Sequence, residues 1–166
     1  MADPTAPRAD RPTMFGGHLD PVMLPWTWAS HRLTVARNYW IATTRPDDRP
    51  HTRPVWGVWL DGAFFFSTGS IAAGHLPSRP EITVHLESGS DVVIIEGRAR
   101  VVEERARIVR IVDAYNPKYQ WDVDPDALPG PFYEVRPRVA FGWTSDDSGR
   151  DGGAGFHATA TRWTFS

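Results

Sequence analysis

Short runs of apolar, aromatic and β-branched residues, broken at close intervals by Gly, Pro, Asp or Ser, fill most of this chain and mark a β-rich domain. The first element has a different period. Between Leu24 and Arg37, Trp26, Ala29, Leu33 and Ala36 recur at helical spacing behind Pro25, which suits a first turn. This pattern predicts an amphipathic helix packed over a barrel end. Strand-like runs follow at 38–44, 51–60 and 63–68. Two prolines in the 45–50 stretch separate the first pair, and Asp61-Gly62 joins the second pair as a tight hairpin. After a short, helix-compatible link at 70–76, strands resume at 82–87 and 92–102 around a Ser88–Asp91 turn, which makes an antiparallel meander.

The 103–115 stretch is the clearest helix, with two leading acids at its positive end and Ile108, Val109, Val112 and Tyr115 on one face. Asn116-Pro117 is expected to stop it. Beyond a Pro- and Asp-rich loop, 132–135 and 139–143 read as two strands joined across Pro137. Ser145–Gly155 reads as a flexible loop, and Thr159, Thr161, Trp163 and Phe165 alternate on a last strand. Many short strands with few helices argue a small barrel.

Length and composition narrow the picture. The chain has 166 residues, enough for one core. Residues 1–20, rich in Pro, Asp and Arg, read as a mobile extension ahead of a single domain at 21–166. There is no cysteine, which excludes a disulfide scaffold, thiol catalysis and Cys-held metals. No apolar run is long enough to span a membrane, and 1–11 lacks the apolar core of a signal peptide, so a soluble, cytoplasmic protein is expected. With a net charge of −2, interspersed signs and one lysine, Lys118, the chain offers no surface for a phosphate backbone, so nucleic acid is not an expected partner. Eight Trp and eight Phe are enough to line a site for a flat ligand as well as to fill a core.

Metal binding has little support: the six histidines show no paired spacing, and only His85-Leu86-Glu87 puts two ligand types on one strand face. No nucleophile elbow, Walker loop or dinucleotide fingerprint is present. What stands out is His51-Thr52-Arg53-Pro54-Val55-Trp56-Gly57-Val58-Trp59. Proline cannot donate to a ladder and glycine leaves the backbone bare, so this is either an edge strand approached by a planar group or an ordinary edge strand with core tryptophans.

The ordered set His51–Trp56, Asp61-Gly62, Phe66–Gly69, His75-Leu76, Pro80, Val84–Gly89, Glu96-Gly97, Lys118-Tyr119 and Thr161-Arg162-Trp163 resembles the pyridoxamine 5'-phosphate oxidase-like family, in particular its deazaflavin-using branch. The resemblance runs from about Trp26 to Phe165. It implies a mainly β fold with a few helices, a six-stranded antiparallel split β-barrel, forming a homodimer with cofactor grooves between subunits. The implied cofactor is F420 or FMN. Arg53, Pro54, Val55 and Trp56 would lie along its rings, with Ser67, Thr68, Gly69 and Ser70 at the phosphate end.

Two departures stand out. His75 takes the place of the family's common Asn, and Ala72 stands where many relatives carry the lysine that neutralises the phosphate. Arg79, Arg53 or an arginine of a partner subunit are the candidates to replace that charge. The implied function is an oxidoreductase transferring a hydride between F420 or FMN and a small conjugated organic substrate. The alternatives are a non-catalytic flavin-, deazaflavin- or haem-binding protein on the same barrel, and an aromatic-lined oligonucleotide-binding barrel. His75, His85, Lys118 and Tyr119 could each be a proton donor or purely structural.

Overall fold

A computed structural model describes residues 6–13 and 21–166. Its backbone is the pair of long strands β7 (Asp91–Val101) and β8 (Tyr133–Thr144). On β7, Val93, Ile95 and Ala99 alternate inward, as a sheet with one packed face requires. The other strands are β1 (Arg8–Asp10), β2 (Tyr39–Thr44), β3 (Pro50–Val55), β4 (Gly57–Leu60), β5 (Ala63–Phe66), β6 (Glu81–His85) and β9 (Thr161–Thr164). All pairs are antiparallel, in the order β1-β9-β8-β7-β6-β2-β3, with β5 also on β8 and β4 on β5. The sheet curls without closing, which is the split barrel that the family resemblance implies. Nine strands are counted among the described residues because the 51–60 run divides in two and two short strands extend the β8 edge.

Four helices, α1 (Trp26–Val35), α2 (Ile71–His75), α3 (Arg105–Tyr119) and α4 (Ala154–Thr159), complete the chain. β5 is buried on both faces: Phe64 and Phe66 point into the barrel with Leu33, Tyr39, Ile41 and Trp163, while Phe65 meets Ile111, Val112 and Tyr115 of α3. These two clusters fix α3 beside β4 and so place its C-terminal end against the β3–β4 junction.

Four expectations need correction. Helix α3 runs through Pro117 to Tyr119. Pro117 and Asp113 are exposed, so the carbonyl that loses its donor faces water, and the helix ends at Gln120 in the left-handed region (φ 54°). The two strands expected around Pro137 are one, β8. Pro137 lies where pairing with β5 has ended at Val135 and pairing with β9 has not begun at Val139, and a bulge opposite Glu96/Gly97 absorbs the extra residue. The 154–159 stretch forms α4 instead of loop and strand, because the Thr159 hydroxyl bonds Gly155 O (2.7 Å) and accepts from Thr144 N (2.8 Å). Finally, Arg8–Asp10, assigned to an extension outside the fold, is an edge strand on β9. It is held by backbone pairing and by the Arg162 guanidinium on both Asp10 oxygens (2.7 and 2.9 Å), which composition does not report. The rest of the expected extension, 1–5 and 14–20, lies outside the described residues.

Candidate functional site

The site grows from the break between β3 and β4. β3 pairs with β2 only and is the last strand of its edge, which is where Pro54, lacking a donor, is tolerated. At Trp56 the chain leaves that ladder, and from Gly57 it pairs with β5. Gly57 is required by space: a Cβ there would lie 2.4 Å from the Phe64 ring and 2.6 Å from Phe65 O. Its peptide groups are gripped by the end of α3. Gly57 N donates to the Tyr119 hydroxyl (2.9 Å), and Gly57 O accepts from Lys118 Nζ (2.9 Å). Lys118 also donates to the Tyr39 hydroxyl (2.9 Å).

Burial, aided by the charge of Arg37, lowers the Lys118 ammonium to about 8. Between there and the ordinary 10.5 the unfolded chain holds a proton that the folded chain has lost, so this group makes stability rise with pH over that interval. Lys118 is the chain's only lysine. Acylation followed by peptide mass spectrometry should therefore show its reactivity rising with a midpoint near 8, and a midpoint at the ordinary value would mean that the ammonium is solvated.

The gripped junction presents Trp56 to a cavity of about 580 Å³. The Trp56 ring stacks on Tyr119 (4.7 Å, 11°) and meets Trp121 edge-on (5.3 Å, 87°). Three walls line the cavity: Arg53, Pro54 and Val55 from β3 with Trp56 at its end, Ser67, Thr68 and Gly69 after β5, and the 121–130 loop with Tyr115 and Phe132 behind it. Trp56 and Trp121 remain 39% and 55% exposed, so a flat apolar surface of this cavity is uncovered. Arg53 brings the charge. Its Nε is buried without a hydrogen-bond partner, and it takes part in none of the ion pairs among the described residues.

Seven of the ten residues that the resemblance implies for the cofactor therefore share one cavity wall or another: Arg53, Pro54, Val55, Trp56, Ser67, Thr68 and Gly69. Three do not line it. Ser70 caps α2, its hydroxyl accepting from Ala72 N (3.2 Å) and from Thr68 Oγ1 (2.9 Å). His75 is buried with its Nε2 on the Thr43 hydroxyl (2.9 Å). Arg79 is bound to the Asp48 carboxylate and to Pro46 O. Ala72 is fully buried on α2.

The 121–130 wall goes unrecognised in the sequence, although Trp121, Val123 and Leu128 are conspicuous apolar residues in a loop otherwise of Pro and Asp. Among the described residues no group of three or more His, Asp or Glu is placed to hold a metal ion, and no helix is long and apolar enough to cross a membrane.

Comparison with known proteins agrees with this fold. Among solved structures, a conserved hypothetical protein from Mycobacterium tuberculosis superposes with a TM-score of 0.64 at 22% identity, over 78% of this chain and 90% of that one. General stress protein 26 from Bacillus anthracis gives 0.59 at 18%, over 70% and 91%. A FAD-binding protein from Mesorhizobium loti gives 0.59 at 13%, over 85% and 96%. At these identities the likeness is one of fold. None of the curated proteins matches the chain. The family model described as pyridoxamine 5'-phosphate oxidase matches residues 32–144, a span that holds β2 to β8 and every wall of the cavity, and the chain belongs to that family.

Proposed function

We propose that the chain is an oxidoreductase that binds F420 or FMN in the 580 Å³ cavity and passes a hydride between it and a small conjugated organic substrate, as a cytoplasmic homodimer. The observation that carries this reading is Arg53: a buried, unpartnered guanidinium nitrogen on the wall of an aromatic-lined cavity of ordinary ligand size. Arg53 supplies a cation for the phosphate, and the hydroxyls of Ser67 and Thr68 lie on the adjoining wall. The cavity's carboxylates, Asp122 and Asp124, stand on the loop wall and repel a phosphate from that side. Trp56 and Trp121 give the ring system an apolar face and keep water from it. The bound cofactor supplies the hydride chemistry, so no acid–base pair is required of the protein. A second copy covers Trp56 and Trp121 in this reading, and sedimentation should show a dimer at micromolar concentration.

The direct test is titration with FMN and with F420 separately, followed by turnover of the reduced cofactor with conjugated acceptors. Binding with turnover supports the proposal. Binding without turnover favours the sequestering protein on the same barrel, and no binding of either removes the reading. The wall residue has its own test. Trp56→Ala should weaken cofactor binding about two- to tenfold, the worth of one aromatic stacking contact. Being partly exposed, it should cost less stability than the about 3–5 kcal/mol of a fully buried aromatic. A large fall in Tm with unchanged affinity would make Trp56 a packing residue instead.

A further inference from the structure

The β2–β3 hairpin carries two arginines, Arg45 and Arg53, that form no ion pair among the described residues. Strand residues two apart share a face at about 7 Å, so Arg53 and His51 follow one another on β3. Thr43 lies opposite His51 on β2, and Arg45 is the next residue on that side. Five buried side-chain polar atoms among the described residues have no hydrogen-bond partner, and three of them are Arg45 Nε, His51 Nδ1 and Arg53 Nε. Buried polar atoms are nearly always paired, so three along one hairpin face call for an explanation.

The charges around them do not supply one. Arg45, like Arg53, is absent from the ion pairs of the described residues, and Asp47, the carboxylate that feels Arg45, is held by Arg49 at 2.7 Å. The His51 ring is pushed down by burial and then by Arg45, His75 and Arg53, with no acid among its neighbours to offset them. His75 meets His51 edge-on at 5.9 Å and is occupied by the Thr43 hydroxyl. The row also joins two hollows. Arg53 lines the 580 Å³ cavity, and Arg45, Arg49 and His75, with the Arg49-paired carboxylate of Asp47, line a second of about 440 Å³ beside Ile71 and Gly74 of α2.

We propose that Arg45, His51 and Arg53 form one anion-binding row, which takes a ligand with at least two negative groups: a phosphate at Arg53 and a second phosphate or carboxylate at Arg45 and His51. This rests on the cofactor reading above only for the phosphate at Arg53. It adds a second anionic group to the phosphate at Arg53, because a ligand whose only charge is that phosphate leaves the Arg45 end of the row unpaired.

Inorganic orthophosphate and tripolyphosphate, titrated into the full chain by calorimetry while the histidine rings are followed by NMR, test the row. Tripolyphosphate should bind at least about tenfold tighter than orthophosphate, the worth of one added charge-assisted contact, and should raise the titration midpoint of His51. Arg45→Gln should remove most of that advantage and leave orthophosphate binding within about twofold. Arg98→Gln should change neither.

Equal affinity for the two anions, an unmoved His51, or an advantage that survives Arg45→Gln overturns the proposal. So does an advantage lost in Arg98→Gln, since Arg98, Arg136 and Arg138 form a separate basic surface on β7 and β8. If Arg45→Gln does not fold, the His51 titration in the unaltered chain decides. A chain that binds FMN or F420 while tripolyphosphate leaves His51 unmoved loses the row and keeps the cofactor reading. One that binds neither cofactor but shows the His51 shift keeps the row and loses that reading.

Discussion

Gly57→Ala is expected to lower Tm by roughly 6–12 °C. The added methyl would sit 2.4 Å from the ring of Phe64, which is fully buried, and 2.6 Å from the backbone oxygen of Phe65. Neither neighbour can step aside: the ring is packed against Tyr39 at 4.5 Å and stacked on Phe66 at 5.5 Å, and the oxygen belongs to the strand that β4 pairs with. Overpacking against two fixed neighbours lies at the upper end of the usual cost, about 3 kcal/mol, and about 2–4 °C of Tm per kcal/mol is usual at this chain length. The displaced peptide also draws away from the Tyr119 hydroxyl and the Lys118 ammonium, so Trp56 loses its setting. Gly74→Ala is the control. Nothing lies within 4 Å of its added Cβ, and alanine favours a helix, so Tm should hold or rise slightly. Thermal unfolding followed by circular dichroism reads both, and an unchanged Tm for Gly57→Ala would mean that β4 and β5 do not approach this closely.

That junction also shows what the sequence discloses and what it hides. Pro54 and Gly57 are legible because each removes something a ladder needs, a donor or a side chain, and the missing group says that the strand is an edge or a place of close approach. The Asp61-Gly62 hairpin is legible for the same local reason, with both residues at positive φ (51° and 72°). The far wall of the cavity is set by contacts distant from the local pattern. The Asn116 side chain donates to Val123 O (3.1 Å) and accepts from Val123 N (3.0 Å), folding the loop back on α3 and carrying Trp121 to Trp56. No periodicity within 116–130 encodes that meeting. The residues around α2 fail for a related reason. His75 and Arg79 are placed by Thr43 and Asp48, thirty-odd positions upstream, and those partners take them away from the cavity. β8 stays whole across Pro137 because the neighbouring strands leave a gap there, and only the assembled sheet defines that gap.

Arg53→Gln should weaken FMN or F420 binding by roughly ten- to a hundredfold. The guanidinium lies on the cavity wall without a carboxylate partner, so a phosphate placed there gains a charge-assisted contact without first breaking an ion pair. Hydrogen bonds to charged groups are worth about 1.5–3 kcal/mol, which is that range of affinity. Glutamine keeps most of the side chain's volume and a donor, so the loss reports the charge. Three comparisons isolate it. Riboflavin, which carries the same ring system without phosphate, should bind the variant and the unaltered chain alike. Raising the salt concentration should weaken FMN binding to the unaltered chain more than to the variant, as screening acts on the charge that the variant lacks. Arg79→Gln should change nothing, because that guanidinium is already held by Asp48 away from the cavity. A lysine at 72 offers no rescue: Ala72 is fully buried on α2, so Ala72→Lys would put an ammonium into the core and lower stability instead of adding affinity. Equal loss of riboflavin and FMN in Arg53→Gln would show that Arg53 shapes the cavity and that the phosphate is held elsewhere.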